Sequence, residues 1–330
     1  MLLITPNCYA RLSSYVVECN SHRYVHLSKL DRFEDARIVL GELIATDRKS
    51  GSGFVANATK LLSIKSRKPG ISKGEIALHE SCIGMLLLEQ GNPIEAESHL
   101  ARAVELASQT PDYICTAAYR NQYANSLKLQ GENEAALRQL LLAQSDFNTA
   151  GCSCSKEMAP VLGDTCAVLS NVGRYSEAIS HGRKAIYIIS MYPDAERSCY
   201  YTNLGTAYLM SGDIDGAERE YKTSLRIARN GGPDDALAMA LANCAIIEYQ
   251  VGHRSAGLKL AKQSVNAFNE MGRDREACKV LILILSKSPE SEALAILNES
   301  GLDKTGFEDL TRMASGQQVA RPPTINSFKL

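Results

Sequence analysis

The stretch NLGTAYLMSGDIDGAEREYKTSLRIA, Asn203 to Ala228, decides the fold. It is helix-forming throughout except at one point. Its small residues Gly205, Gly212, Ala217 and Ser224 stand at uneven intervals. Gly212 suits the left-handed backbone that ends a helix, and the short polar residue after it suits the start of another. The other three small residues mark places where two helix backbones approach closely and a larger side chain would push them apart. The stretch therefore reads as two antiparallel helices joined by a tight turn.

The same layout recurs along the chain. Glycines after a helical stretch fall at Gly91, Gly131, Gly173, Gly212 and Gly252, about 40 residues apart. Seven residues before each stand Gly84, Ala124, Cys166, Gly205 and Ala245; five after come Ala96, Ala136, Ala178, Ala217 and Gly257. Twelve after come Ala103, Ala143, Ala185, Ser224 and Ser264. Leu87, Leu127, Leu169 and Tyr208, four before their glycines, supply the larger apolar filling. A single hairpin cannot bury its apolar face, but a stack of them can. The expectation is an all-α, right-handed superhelical solenoid of antiparallel helix hairpins.

This pattern resembles the tetratricopeptide repeat (TPR). The match is closest in YTNLGTAYLMSGDIDGAEREYKTSL, through Leu204, Gly205, Tyr208, Ala217 and Tyr221. Repeats near 40 residues exceed the usual length of about 34. They are similar to those of kinesin light chains and spindle-orientation adaptors, most of all in LRIARNGGPDDALAMALANCAIIEYQVG. Glu248 and Gly182 depart from the family by standing in columns that are usually apolar. The resemblance implies a non-catalytic protein–protein interaction scaffold or adaptor.

Composition agrees with a core-forming chain. Of 330 residues 45% are hydrophobic and 22% charged, and 36 basic against 37 acidic residues leave a net charge of −1. No global field favours specific nucleic-acid binding. The opening MLLITPNCYARL has no basic region before its short apolar run and makes a poor signal peptide. VLILIL, Val280 to Leu285, is too short to cross a membrane. Ten cysteines spread along the chain fit a reduced, cytoplasmic setting.

Residues 1–46 read as a degenerate N-terminal repeat, with Asp31 in its turn and Ala36 in a small column. Residues 47–73 form a basic insertion, read as a solvated linker. Five hairpins span 74–271, capping helices 272–314 and a flexible tail 315–330. The final FKL is a poor match to a peroxisomal address, because Phe328 stands where a small residue is needed.

The first helix of each pair is expected to line a concave groove. Periodicity places Asn121, Gln122, Asn125 and Lys128 there in the second repeat. It places Thr202, Asn203 and Thr206 in the fourth, and Asn243 and Tyr249 in the fifth. Asparagine offers both a donor and an acceptor, which suits gripping the backbone of an extended peptide. The resemblance to kinesin light chains implies that role for Asn203 and Asn243 above all. The alternative is that these amides bond within the stack. The clamp that chaperone-binding relatives use for a terminal carboxylate has no basic pair here: its places hold Leu78 and Cys82, Pro160 and Asp164, Met239 and Asn243.

Cys8, Cys19, His22 and His26 could ligate zinc, but the wide gap after Cys8 fits no common closed site, and Cys19, His22 and His26 share a helical face that could simply pack. The pair in Cys152-Ser153-Cys154 could hold a metal, be redox-active, or be an ordinary exposed loop. No phosphate loop, nucleophile elbow or zincin motif occurs. The reading is of no enzyme, no cofactor and no metal, with partners that are peptide segments or helices of other proteins. The rivals are a metal-binding or enzymatic N-terminal module carried by the array, and a self-associating subunit whose groove takes the 315–330 tail.

Overall fold

The computed structural model describes residues 70–89, 91–192, 197–231 and 234–288, with isolated positions at 296, 298–300, 308–309 and 311–312. Among the described residues there are eleven long helices and no strand. The expected degenerate repeat, the insertion up to residue 69, the tail, and Cys8, Cys19, His22 and His26 lie outside them. The chain divides after Val172 into two compact units.

The first unit contains α1 (Lys73–Glu89), α2 (Pro93–Ala107), α3 (Tyr113–Leu129), α4 (Asn133–Thr149) and α5 (Met158–Asn171). Pro93 starts α2, where its missing N–H costs nothing. The Asp112 carboxylate caps α3 by accepting from the Cys115 N–H at 3.1 Å. Ala96, Leu100, Ala103, Ala136, Leu140 and Ala143 are wholly buried, so the small columns sit where helices touch. The Ser126 hydroxyl donates to the Pro93 carbonyl at 2.8 Å and fastens α3 to the start of α2. Arg120 Nε donates to Asp146 at 2.8 Å, joining α3 to α4.

The second unit contains α6 (Tyr175–Ser190), α7 (Ser198–Ser211), α8 (Ile214–Arg229), α9 (Asp234–Gln250), α10 (Arg254–Glu270) and α11 (Asp274–Lys287). The turn from α7 to α8 shows why the glycine is needed. Gly212 has φ +88°, its N–H donates to the Leu209 carbonyl at 3.1 Å, and the Asp213 N–H donates to the Tyr208 carbonyl at 3.0 Å. Asp213 then caps α8 by accepting from the Gly216 N–H at 2.8 Å.

Gly205 lies against the ring of Tyr221; a Cβ added there would stand 2.7 Å from Tyr221 Cδ1. The third small column carries hydroxyls here. Ser224 donates to the Ser198 carbonyl at 2.8 Å and Ser264 to the Ala238 carbonyl at 2.6 Å, so each second helix is tied to the N-terminal part of its partner. Arg183 Nε donates to the Tyr208 hydroxyl at 3.1 Å with its guanidinium 5.8 Å from the ring centre, which joins α6 to α7.

Both residues that depart from the family pattern are accommodated. Gly182 is buried in α6, and Glu248 pairs with His253 Nδ1 at 2.9 Å.

Candidate functional site

The polar residues of the first helices behave differently in the two units. In the first unit they bond to one another. The Ser81 hydroxyl of α1 donates to Gln122 Oε1 of α3. Asn125 Nδ2 donates to Asp164 Oδ2 of α5 at 3.0 Å, and Lys128 Nζ donates to Asp164 Oδ1 at 2.9 Å. The Lys128 and Asp164 side chains are only 9% and 7% exposed. Water therefore screens this pair weakly; each charge depends on the other, and the carboxylate on Asn125 as well, for the hydration it has lost. Asn121 is buried, and its Oδ1 accepts no hydrogen bond.

In the second unit the threonines turn toward the second helix of their own hairpin. Thr202 Oγ1 meets Ser224 Oγ at 2.8 Å, and Thr206 Oγ1 meets the Tyr221 hydroxyl at 2.9 Å. Burial pushes the pKa of the Tyr221 hydroxyl up. Asn203, next to Thr202, is buried as well. Asn243 is fully buried at 0% exposure, and neither its Nδ2 nor its Oδ1 finds a hydrogen-bond partner. Tyr249 is half-buried and lies against Gly257, where an added Cβ would be 3.1 Å from the ring.

Of the nine residues expected along the groove, seven are thus buried, while Lys128 and Tyr249 are half-buried. Helical periodicity assigns a face to within one or two positions; it does not say which neighbours fill that face. Gln122, Asn125 and Lys128 are used inside the stack, and Thr202 and Thr206 inside their hairpin. The sequence reading missed Asp164 and Ser81 as their partners. A signal was available: nine residues before the glycines the column reads Cys82, Gln122, Asp164, Asn203, Asn243, polar in four of five places.

Other reactive groups are muted. The thiols of Cys82 and Cys244 are pushed up to about 12 by burial, so neither is a nucleophile near neutrality. Among the described residues no group of three or more His, Cys, Asp and Glu is placed to hold a metal. No described helix is long and apolar enough to cross a membrane.

A sequence model of the tetratricopeptide repeat matches residues 75–144 and 157–230, that is α1 to α4 and α5 to α8. These two segments are tetratricopeptide repeats.

Solved structures share the TPR-like fold. A Rap protein complexed with Competence and Sporulation Factor matches at 18% identity over 92% of this chain and 90% of that one, with a TM-score of 0.63. BtubC (BKLC) from P. vanneervenii matches at 17% identity over 71% of this chain and 92% of that one, with a TM-score of 0.52. A putative kinesin light chain of Podosopora anserina with nearly identical TPR-like repeats matches at 14% identity, over 59% and 95% of the two chains, with a TM-score of 0.47. At such identities the likeness is one of fold alone. No curated protein matches the chain.

Proposed function

We propose that this chain is a cytoplasmic protein-binding scaffold or adaptor, without catalytic activity of its own, that holds an extended segment of a partner protein along α7 and α9. The Asn243 carboxamide carries the reading. Leaving a buried polar group without a partner costs about 1–3 kcal/mol, and this amide leaves two groups so. A peptide main chain offers the complement, one carbonyl for Nδ2 and one N–H for Oδ1. Asn203 occupies the same column one repeat earlier and serves as the second grip, and Tyr249, farther along α9, supplies an aromatic surface.

Asn243 is covered, so the segment enters as neighbouring first helices part, a local rearrangement of a kind common in regulatory complexes. In the first unit the same column is satisfied by the chain itself. Asn121, one position earlier in α3, keeps an unbonded Oδ1, and Gln122, Asn125 and Lys128 tie α3 to α1 and α5. The Rap protein of the same fold, complexed with its factor, supports reading the array as a binding surface.

The test is selection of binders to the full chain from a displayed library of unstructured peptides, followed by calorimetry on Asn243→Leu. The expected result is at least tenfold weaker binding by a variant that is folded and no less stable than the parent. Equal affinity for the parent and Asn243→Leu would remove Asn243 from the site and overturn the reading.

A further inference from the structure

The partner segment proposed above meets α7 and α9 together, and the packing of these two helices restricts its conformation. α8 touches both, and α7 and α9 also touch each other. Tyr221 and Leu225 of α8 share one core with Leu204 and Tyr208 of α7 and with Leu241 and Ile247 of α9. Helices in such mutual contact have axes about 8–10 Å apart. Asn203 and Asn243 hold the same place in successive hairpins, nine residues before Gly212 and Gly252, so their carboxamides recur at about that interval. The core shared with α8 limits how far α7 and α9 separate when the segment enters.

A main chain gripped at both places must present free N–H and C=O groups on one side at that interval. An α-helix spends these groups on itself. A β-strand alternates its hydrogen-bonding groups between two edges, so they return to one edge about every 6.6 Å, and those about 10 Å along point away. Polyproline II has no internal hydrogen bonds and three residues per turn, so one side returns at every third residue, about 9.3 Å along. Of the three, only this conformation matches the spacing of the helices. The surroundings are uncharged. Met239 and Ile246, four before and three after Asn243, share its side of α9 and are buried. Cys199 and Thr206 stand at the corresponding places on α7.

On the reading that Asn243 grips a partner's main chain, we propose that the partner segment is an uncharged polyproline II helix built on the pattern x-Pro-Pro, where x is any residue except proline. Asn243 Nδ2, which has no partner within the chain, donates to the C=O of one x, and the N–H of that x donates to Asn243 Oδ1. The x three residues away meets Asn203. Proline lacks the N–H that Oδ1 needs, so it is excluded from the gripped positions and favoured between them. There its fixed φ holds the segment in the bound conformation beforehand and lowers the entropy lost on binding.

The experiment is calorimetry on the full chain with three uncharged probes of equal length, capped at both ends. They are five repeats of Ala-Pro-Pro, five repeats of Ala-Gly-Ser, and the first probe with every alanine N-methylated. The expected result is that Ala-Pro-Pro binds the parent about tenfold tighter than either of the others, since the flexible probe must be ordered and the methylated one leaves Oδ1 unbonded. Asn243→Leu, shown to be folded by far-UV circular dichroism, loses that advantage. The methylated probe acts on the unaltered protein, so a folding defect cannot imitate its effect. Equal affinity for Ala-Pro-Pro and its methylated form would overturn the inference. So would Ala-Gly-Ser binding as tightly, or Ala-Pro-Pro failing to bind the parent. In each case the groove reading survives if a peptide selected from the displayed library still loses affinity on Asn243→Leu, and it falls with the inference if that dependence is absent too.

Discussion

Replacing Lys128 by methionine asks whether the inner polar residues of the first unit face a groove or hold the stack together. The structure gives the magnitude. Lys128 Nζ and Asp164 Oδ1 are 2.9 Å apart with both side chains over nine-tenths covered, and Asn125 takes the other carboxylate oxygen at 3.0 Å. Lys128→Met leaves a buried carboxylate with one neutral donor, and removing one partner of a buried pair costs about 3–5 kcal/mol. A solvated pair would cost about 0–1 kcal/mol. Lys128→Met/Asp164→Leu removes both charges and recovers most of the loss, because an apolar pair of similar volume replaces an ion pair at little cost or some gain. Urea unfolding followed by far-UV circular dichroism, with the parent, both single variants and the double, gives the coupling energy directly. A loss under about 1 kcal/mol for Lys128→Met, or a double variant no better than the worse single one, would refute the reasoning and return Lys128 to the solvent.

Two other expectations rest on contacts within the hairpins and on the buried thiols. Gly205→Ala puts a methyl 2.7 Å from the Tyr221 ring and should destabilise by about 1–3 kcal/mol, read from the shift of the urea midpoint; an unchanged midpoint would mean that α7 and α8 separate easily. Burial pushes the Cys82 and Cys244 thiols from an ordinary 9.0 up to about 12, so the folded chain holds protons that the unfolded chain releases. Their contribution to stability is therefore intact below pH 9 and is lost as pH rises toward 12, and Cys82→Ala/Cys244→Ala should flatten the decline of the melting temperature over that interval.

Much of this protein was legible in its sequence because the features that define a hairpin are local. The left-handed φ at Gly212, the cap by Asp213 and the closeness of Gly205 to Tyr221 all lie within one 26-residue stretch, and each depends on residue size or backbone freedom alone. Repetition of that stretch then implied stacking, since a single hairpin leaves its apolar face exposed.

The candidate site was less legible because its partners come from distant repeats. Asn125 and Lys128 reach Asp164 39 and 36 residues away, and Gln122 reaches Ser81 41 residues away. A change of one helical position, a rotation of about 100°, separates a side chain facing the next first helix from one facing its own second helix. That rotation explains why Thr202 bonds Ser224 while the neighbouring Asn203 does not share the contact. Residues of one column share that position and still end differently, because their partners come from other repeats: Gln122 and Asp164 are satisfied, and Asn243 is left without a partner.

The sequence alone determined the hairpin, its turn and its small columns, because glycine conformations and residue volumes act within a few residues of chain. Only the tertiary structure decided which inner amides are spent inside the stack and which stays unbonded. That outcome depends on the distance and rotation between helices about 40 residues apart, which no local pattern encodes.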